Sequence, residues 1–156
     1  MSSFFDYPDG PDHAAGGPET ELVCFAQLHH SEWDRLVAVM ERRRFAEGDV
    51  VMGVGERDRS LYLIASGSVD VRLGGREAKV IRVQGPGTLL GEVAFFDGRP
   101  RSATVTAREP SEVLRLSDEA FHGLAGRHPD LGRKILLDLG RVLAVRLRQA
   151  EARLGG

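Results

Sequence analysis

Apolar and polar positions alternate through the middle of the chain with the two-residue period of half-buried β-strands. Between residues 45 and 116 the alternation is clear at Val69, Val71 and Leu73, and turns such as the Gly-Pro-Gly at residues 85–87 interrupt it every few residues. Many short strands with frequent turns favour an antiparallel barrel or jelly roll. Such a roll can enclose a ligand pocket.

Ahead of this region the apolar period lengthens to that of an amphipathic helix. Trp33, Leu36, Val37 and Met40 recur at helical spacing, and Ser31 just before them can cap the helix. We therefore expect one short helix before the sheet.

A helical period returns after the strand region. Phe121 and Leu124 mark a short amphipathic turn, and Pro129 signals the start of a longer helix. The longer helix carries a stripe of aliphatic residues: Leu131, Ile135, Leu136, Leu139, Leu143 and Leu147. This stripe fits packing on the barrel, pairing of two helices in a dimer, or both in succession. The predicted fold class is α+β, an antiparallel β-roll or jelly roll flanked by N-terminal and C-terminal helices.

The composition indicates one soluble domain. The 156 residues include 21 Lys and Arg against 23 Asp and Glu, so the net charge is −2 and no global attraction to nucleic acid is expected. Cys24 is the single cysteine of the chain, which excludes an intrachain disulfide. No apolar run is long enough to span a bilayer, and the first residues lack a secretory signal. The expected location is the cytoplasm.

The first 20 residues differ in composition from the rest. They contain several Gly, Pro and Asp residues without an apolar period, which predicts a flexible N-terminal tail, with the folded domain in residues 21–156. Phe4, Phe5 and Tyr7 leave a second interpretation open, in which an aromatic clip docks on the domain or on a partner.

One short glycine-flanked segment places a carboxylate and a guanidinium close together. Gly91 lets the backbone approach a ligand, and Val93 and Ala94 can aim their N–H groups into the same space. Arg101 offers a planar fork of donors for a phosphate, while Glu92 offers acceptors for sugar hydroxyls. The segment therefore predicts a site for a sugar phosphate.

The same segment resembles the phosphate-binding cassette of the cyclic nucleotide-binding domain family. The matching residues, in the order and spacing of the family, are Gly91, Glu92, Ala94, Arg101, Ser102 and Ala103. The resemblance covers residues 25–154: residues 45–56 resemble the first strands of the family, and residues 61–71 resemble its central hairpin. Members of the family include catabolite activator protein sensor domains, protein kinase A regulatory subunits and bacterial nucleotide-gated channel domains.

The resemblance implies a division of roles among these residues. Arg101 and the backbone from Val93 to Ser102 would hold the cyclic phosphate, and Glu92 would hold the ribose 2′-hydroxyl. Val71 and Ile81 resemble the apolar wall that packs on the purine, although both are equally well explained as ordinary sheet core. The terminal helix of the family closes over the base, which implies a moving lid between residues 136 and 154.

Ser102 bears on the choice of ligand. Its hydroxyl can donate to a phosphate or to a guanine edge, and family members of either preference carry Ser or Thr at this position. Cyclic AMP is the expected ligand by analogy with bacterial members, and cyclic GMP is the alternative.

Both charged groups of the segment also have a plain structural explanation. Arg101 could be a surface arginine paired with Glu92 or Asp97, which would add little to stability. Glu92 could cap the helical turn that follows it, by accepting from free backbone N–H groups.

No catalytic or metal-binding pattern is present in the sequence. The histidines lack the spacing of metal ligands, and no nucleophile turn or triphosphate-binding loop occurs. We therefore expect a binding module and no enzymatic activity, with no metal.

The final helix is basic, through Arg133, Lys134, Arg141, Arg146, Arg148 and Arg153. These charges are dispersed among leucines, so we expect them on the solvated face of the helix or at the rim of its dimer contact, with nucleic-acid binding as the alternative. No helix-turn-helix follows within the 156 residues, so an excised domain, a stand-alone sensor and a dimerising partner all remain open.

The expected partners are a cyclic nucleotide and either a second copy bound through this helix or an effector protein, without direct DNA binding or a membrane segment. A degenerate domain that keeps the cassette only as scaffold is the runner-up.

Overall fold

Short strands of this chain divide between two antiparallel sheets, and helices precede and follow them. The computed structural model describes residues 24–155, so the predicted tail at residues 1–20 lies outside the described residues. In chain order the elements are α1 (His30–Ala38), β1 (Glu41–Phe45), β2 (Val50–Met52), β3 (Leu61–Ser66), β4 (Val69–Leu73), β5 (Val80–Gln84), β6 (Leu89–Leu90), α2 (Glu92–Asp97), β7 (Ala103–Ala107), β8 (Ser111–Leu116), α3 (Asp118–Arg127) and α4 (Pro129–Gly155).

The two sheets have four strands each, in the orders β1-β8-β3-β6 and β2-β7-β4-β5. All pairings are antiparallel, which confirms the predicted roll with flanking helices. The predicted hairpin over residues 61–71 is wrong, because β3 and β4 belong to different sheets. Gly67 between them has φ +83°, and a Cβ there would lie 2.6 Å from the carbonyl oxygen of Pro110. This tight turn sends the chain from one sheet to the other.

Strand β3 shows how the sequence builds two cores at once. Leu61 and Leu63 pack into a cluster with the helices, whereas Tyr62 and Ile64 pack into a second cluster inside the roll. Because successive side chains of a strand point to opposite faces, an unbroken apolar run is buried on both sides. The roll interior therefore stays separate from the core beneath the helices.

Helix α1 starts one residue earlier than its predicted cap. The backbone N–H of His29 donates to Glu32 Oε1 at 2.9 Å, so Glu32 in the first turn closes the helix end. Ser31 lies within the first turn and is not the cap. The same oxygen, Glu32 Oε1, also lies 2.9 Å from Lys134 Nζ, and this ion pair links α1 to α4.

Helix α4 begins at Pro129, as predicted, and its 27 residues extend for about 40 Å. Its predicted stripe divides into two faces. One face is buried against the rest of the domain at Leu131, Ile135, Leu139, Val142 and Arg146. The other exposes Leu136, Leu137, Leu147 and Leu154, the last two with 59% and 90% of their surface accessible. No helix within residues 24–155 combines the length and apolar character needed to cross a bilayer.

Candidate functional site

The roll opens into a cavity of about 200 Å³ beside α2 and the start of β7. One part of its lining is an apolar wall of Met52, Val71, Leu90 and Val105. The other part is polar or belongs to the segment singled out in the sequence: Arg82, Gly91, Glu92, Val93, Ala94, Asp97, Arg99, Pro100, Arg101, Ser102 and Ala103. The structure thus brings the predicted site residues together around one cavity, with the exception of Ile81.

Gly91 starts the polar side of the cavity and admits no side chain. Its φ is +89°, and a Cβ on it would lie 2.7 Å from both Arg101 Nη1 and the carbonyl oxygen of Ser60. The first intrahelical bond of α2 runs from the N–H of Phe95 to the carbonyl of Gly91 at 3.1 Å. The N–H groups that precede Phe95 in this turn have no carbonyl one turn back, so they are available as donors.

Arg101 is buried and fixed by protein oxygens. Its side chain is only 3% accessible; Nη1 donates to the carbonyl of Gly91 at 3.1 Å and Nη2 donates to the carbonyl of Ser60 at 2.7 Å. Nη2 also lies 3.4 Å from Asp58 Oδ2. The surface pair with Glu92 or Asp97 is therefore not formed. Its Nε is buried and has no hydrogen-bond partner among the described residues, so this arginine retains a donor for another group.

Asp58 anchors the guanidinium of Arg101 from behind. Its carboxylate accepts from the N–H of Ser60 at 3.0 Å and from the hydroxyl of Tyr62 at 2.9 Å, and lies 3.5 Å from Arg115 Nη2. Burial acts to raise the pKa of this carboxyl, but the hydrogen bonds from Ser60 and Tyr62 and the charge of Arg101 lower it to about 2. Asp58 is therefore ionised at neutral pH and holds Arg101 in place.

Glu92 is paired with the terminal helix. Its carboxylate Oε1 lies 2.5 Å from Arg146 Nη1, and both side chains are less than a tenth accessible. Arg146 Nη2 donates to the carbonyl of Leu89 at 2.5 Å, and Gln84 Oε1 lies 3.4 Å away as a second acceptor. The expectation that Glu92 caps α2 is thus replaced by an ion pair across 54 residues of chain.

The prediction that places Arg146 on the solvated face of α4 is wrong. Arg146 falls on the same helical face as Ile135, Leu139 and Val142, which packs on the domain. Its charge is compensated there by Glu92, so the helix tolerates an arginine on its buried side.

Arg82 of β5 is a site residue that the sequence analysis missed. Arg82 pairs with Val71 of β4. Val71 pairs on its other side with Val105 of β7, and Val105 pairs with Met52 of β2. Directly paired residues share a face of the sheet, so these four form one row along the cavity wall. Burial, followed by the charge of Arg146, lowers the pKa of Arg82 to about 10.

Ile81 does not line the cavity, although Val71 does. A register shift between Val71 and Arg72 pairs Val71 with Arg82 and Arg72 with Val80, which leaves Ile81 at the irregularity. Ile81 packs against the second core cluster instead. An alternation pattern read from sequence does not contain this shift.

Ser102 and Arg99 lie at the rim of the cavity and are exposed. The carbonyl of Ser102 accepts from the N–H of Gly74 at 3.2 Å, which fixes the backbone where β7 begins. Its hydroxyl makes no hydrogen bond within residues 24–155, so a ligand could bind it without breaking one.

Comparison with known families identifies one match. The sequence model of the family described as "Cyclic nucleotide-binding domain" matches residues 42–128. Among curated proteins, the cyclic AMP receptor protein of Thermus thermophilus is 35% identical over 133 residues, which cover 83% of this chain and 59% of that protein. A cGMP-dependent protein kinase of Caenorhabditis briggsae, egl-4, is 32% identical over 111 residues, which cover 69% of this chain and 15% of the kinase. This chain thus spans three fifths or less of these relatives.

Solved structures give the same result. A cyclic nucleotide-binding domain from Methylobacillus flagellatus has a TM-score of 0.75 at 27% identity and covers 86% of this chain and 80% of its own. The catabolite activator protein of Thermus thermophilus has a TM-score of 0.73 at 35% identity, over 84% of this chain and 61% of its own.

Proposed function

Because the chain belongs to the cyclic nucleotide-binding domain family, we propose that it is a regulatory module that binds a purine 3′,5′-cyclic nucleotide and signals through α4. The observation that carries this proposal is the meeting of Arg101 and Glu92, both buried, on the wall of one cavity. A buried cation and a buried anion at a cavity suit a ligand that carries both a phosphate and sugar hydroxyls.

The contacts of Arg101 suit the cyclic phosphate. Two of its nitrogens already bond to backbone carbonyls, which fixes the plane of the guanidinium, while Nε–H is buried without a partner. A phosphate oxygen would satisfy this donor, and the first-turn N–H groups of α2 would add further donors. The ligand meets a preorganised site and need not order a long side chain.

The contacts of Glu92 suit both the ribose and the signal. Oε1 is taken by Arg146 of α4, and Oε2 is the acceptor we assign to the ribose 2′-hydroxyl. Ligand and helix therefore share one carboxylate. A nucleotide can shift α4 between two positions only to the extent that its affinity differs between them. We propose that this difference in affinity arises at the shared carboxylate of Glu92.

A second copy of the chain is the partner we propose for the exposed face of α4. Leu136, Gly140, Leu143, Leu147, Ala150 and Leu154 follow one another at alternating steps of four and three residues, the spacing of a coiled-coil seam. Large apolar residues stay exposed along this face, whereas the opposite face packs on the roll. Binding and dimerisation thus use different sides of one helix. We propose that the module acts by binding, without turnover, in the cytoplasm.

The test is calorimetric titration of the full chain with cyclic AMP and with cyclic GMP, followed by hydrogen exchange of the saturated protein. We expect binding of at least one nucleotide and altered exchange of α4 amides near Arg146, while amides of α1 around Leu36 serve as the internal control. Absence of heat with both nucleotides would leave the degenerate structural domain as the better explanation.

A further inference from the structure

We propose that Arg82 reads the edge of the purine base and makes the site prefer guanine to adenine, so that cyclic GMP is the favoured ligand. This inference rests on the function proposed above and names the ligand of that same site. It reverses the expectation of cyclic AMP, which depended on analogy alone.

The position of Arg82 is fixed by strand pairing. The row Met52, Val105, Val71 and Arg82 crosses the sheet from β2 to its edge strand β5, and all four residues line the cavity. Three apolar side chains offer a surface on which a flat purine can pack, and the row ends in a guanidinium. A base lying on this wall would present one of its edges to Arg82.

Arg82 is half-buried and, unlike Arg101, Arg115 and Arg146, has no carboxylate partner within residues 24–155. Within that range its Nε is buried without a hydrogen bond. The Nε atoms of those three arginines are also buried without a hydrogen bond, but each of their side chains pairs with a carboxylate. The charged groups near Arg82 do not supply such a partner: Arg146 and Arg153 repel it, and Glu92 is already paired with Arg146. A half-buried guanidinium with neither a carboxylate partner nor a hydrogen bond on its Nε is costly, so the acceptor for Arg82 is expected to come from a ligand.

The chemistry of the guanidinium decides between the two bases. Guanine presents two acceptors side by side, O6 and N7, which match the two parallel N–H groups of an arginine. Adenine presents the acceptor N7 next to the N6 amino donor, so the second N–H of the arginine would face a donor. A group that only donates therefore favours guanine.

The experiment is calorimetry of the full chain at one salt concentration with three ligands: cyclic GMP, cyclic AMP and inosine 3′,5′-cyclic monophosphate. The inosine nucleotide has O6 and N7 of guanine but lacks its 2-amino group, so it isolates the edge assigned to Arg82. We expect the affinities for cyclic GMP and for the inosine nucleotide to exceed that for cyclic AMP by a factor of about ten or more, which is the discrimination typical of one bidentate pair.

The decisive variant is Arg82→Gln, because an amide pairs with N6 and N7 of adenine. It should lower the affinity for cyclic GMP and for the inosine nucleotide and raise that for cyclic AMP, so that the ratio falls towards one or reverses. The matched control is Arg72→Gln, on the opposite face of β4, where the arginine bonds to Thr106 and lies near Asp70. It should leave the ratio unchanged. If Arg82→Gln does not fold, Arg82→Met keeps the apolar stem and should bring the ratio near one.

Each other outcome counts against the proposal in a distinct way. An equal loss for all three ligands in Arg82→Gln would make Arg82 a phosphate ligand. A wild-type preference for cyclic AMP that survives the substitution would refute base reading and leave the proposed function intact. Failure of the wild-type chain to bind any of the three would overturn the proposed function itself.

Discussion

The two ends of the cavity hold their arginines in opposite ways. Arg101 is enclosed by the carbonyls of Gly91 and Ser60 and by the carboxylate of Asp58, so the roll alone fixes it. Arg82 stands at the edge strand with no such partners, beside a helix whose own arginine takes the nearby carboxylate. The comparison teaches that the end around Arg101, to which we assign the phosphate, is prebuilt by the protein, whereas the guanidinium of Arg82 is left without a protein acceptor.

The largest effect should come from breaking the contact between α4 and the cassette. Arg146→Ala leaves the carboxylate of Glu92 buried without a partner, and loss of one member of a buried pair costs about 3 to 5 kcal/mol. Urea unfolding should show this loss of stability. Arg148→Ala, two residues further on the exposed face, should change the midpoint little.

The double variant Arg146→Ala/Glu92→Gln sharpens this result. Because it removes the orphaned charge as well, it should recover part of the stability lost in Arg146→Ala. If the double variant is as unstable as the sum of both single variants, the pair does not couple α4 to the cassette.

Removing the guanidinium of Arg101 should weaken ligand binding. Arg101→Ala removes the guanidinium assigned to the phosphate, and loss of one partner of a desolvated charged contact costs about 2 to 5 kcal/mol. Calorimetry should therefore show affinity reduced well over tenfold for every cyclic nucleotide that binds. Arg127→Ala, on the exposed side of α3, is the control and should bind as the wild type does. Unchanged affinity in Arg101→Ala would remove the phosphate from this end of the cavity.

The same contrast explains what could be predicted from the sequence. Gly91, Glu92 and Arg101 lie within one short segment, so their spacing alone indicates a site, and the turn-punctuated alternation indicates the roll around it. Arg146 could not be placed, because its partner is 54 residues away and a basic residue on an amphipathic helix is normally solvated. Arg82 could not be predicted as a site residue, because the register shift in β4 places Arg82 opposite Val71 and leaves Ile81 at the irregularity.

Gly91→Ala tests whether the prebuilt end depends on backbone shape. A methyl group at φ +89° is strained, and it would also lie 2.7 Å from Arg101 Nη1 and from the carbonyl of Ser60. We expect a stability loss of about 1 to 3 kcal/mol with weakened binding, measured by urea unfolding and calorimetry. Gly75→Ala, where a Cβ meets nothing within 4 Å and φ is not positive, is the matched control. Equal behaviour of the two variants would show that Gly91 is not required at this turn.

The smallest effect is the pH dependence of the anchor behind Arg101. The pKa of Asp58 is about 2 in the folded protein, below the value of about 3.9 for an unperturbed carboxyl. A depressed folded pKa gives stability that is fully present above the unfolded value and is lost as the pH falls from about 4 to about 2. Since the side chain is a quarter exposed, screening limits the contribution to about 1 to 2 kcal/mol. Urea unfolding from pH 6 to pH 2 should show Asp58→Asn less sensitive to acid than the wild type by this amount. If both proteins lose stability in parallel, Asp58 is not the group that keeps the prebuilt end around Arg101 rigid, and the contrast with the Arg82 end loses its basis.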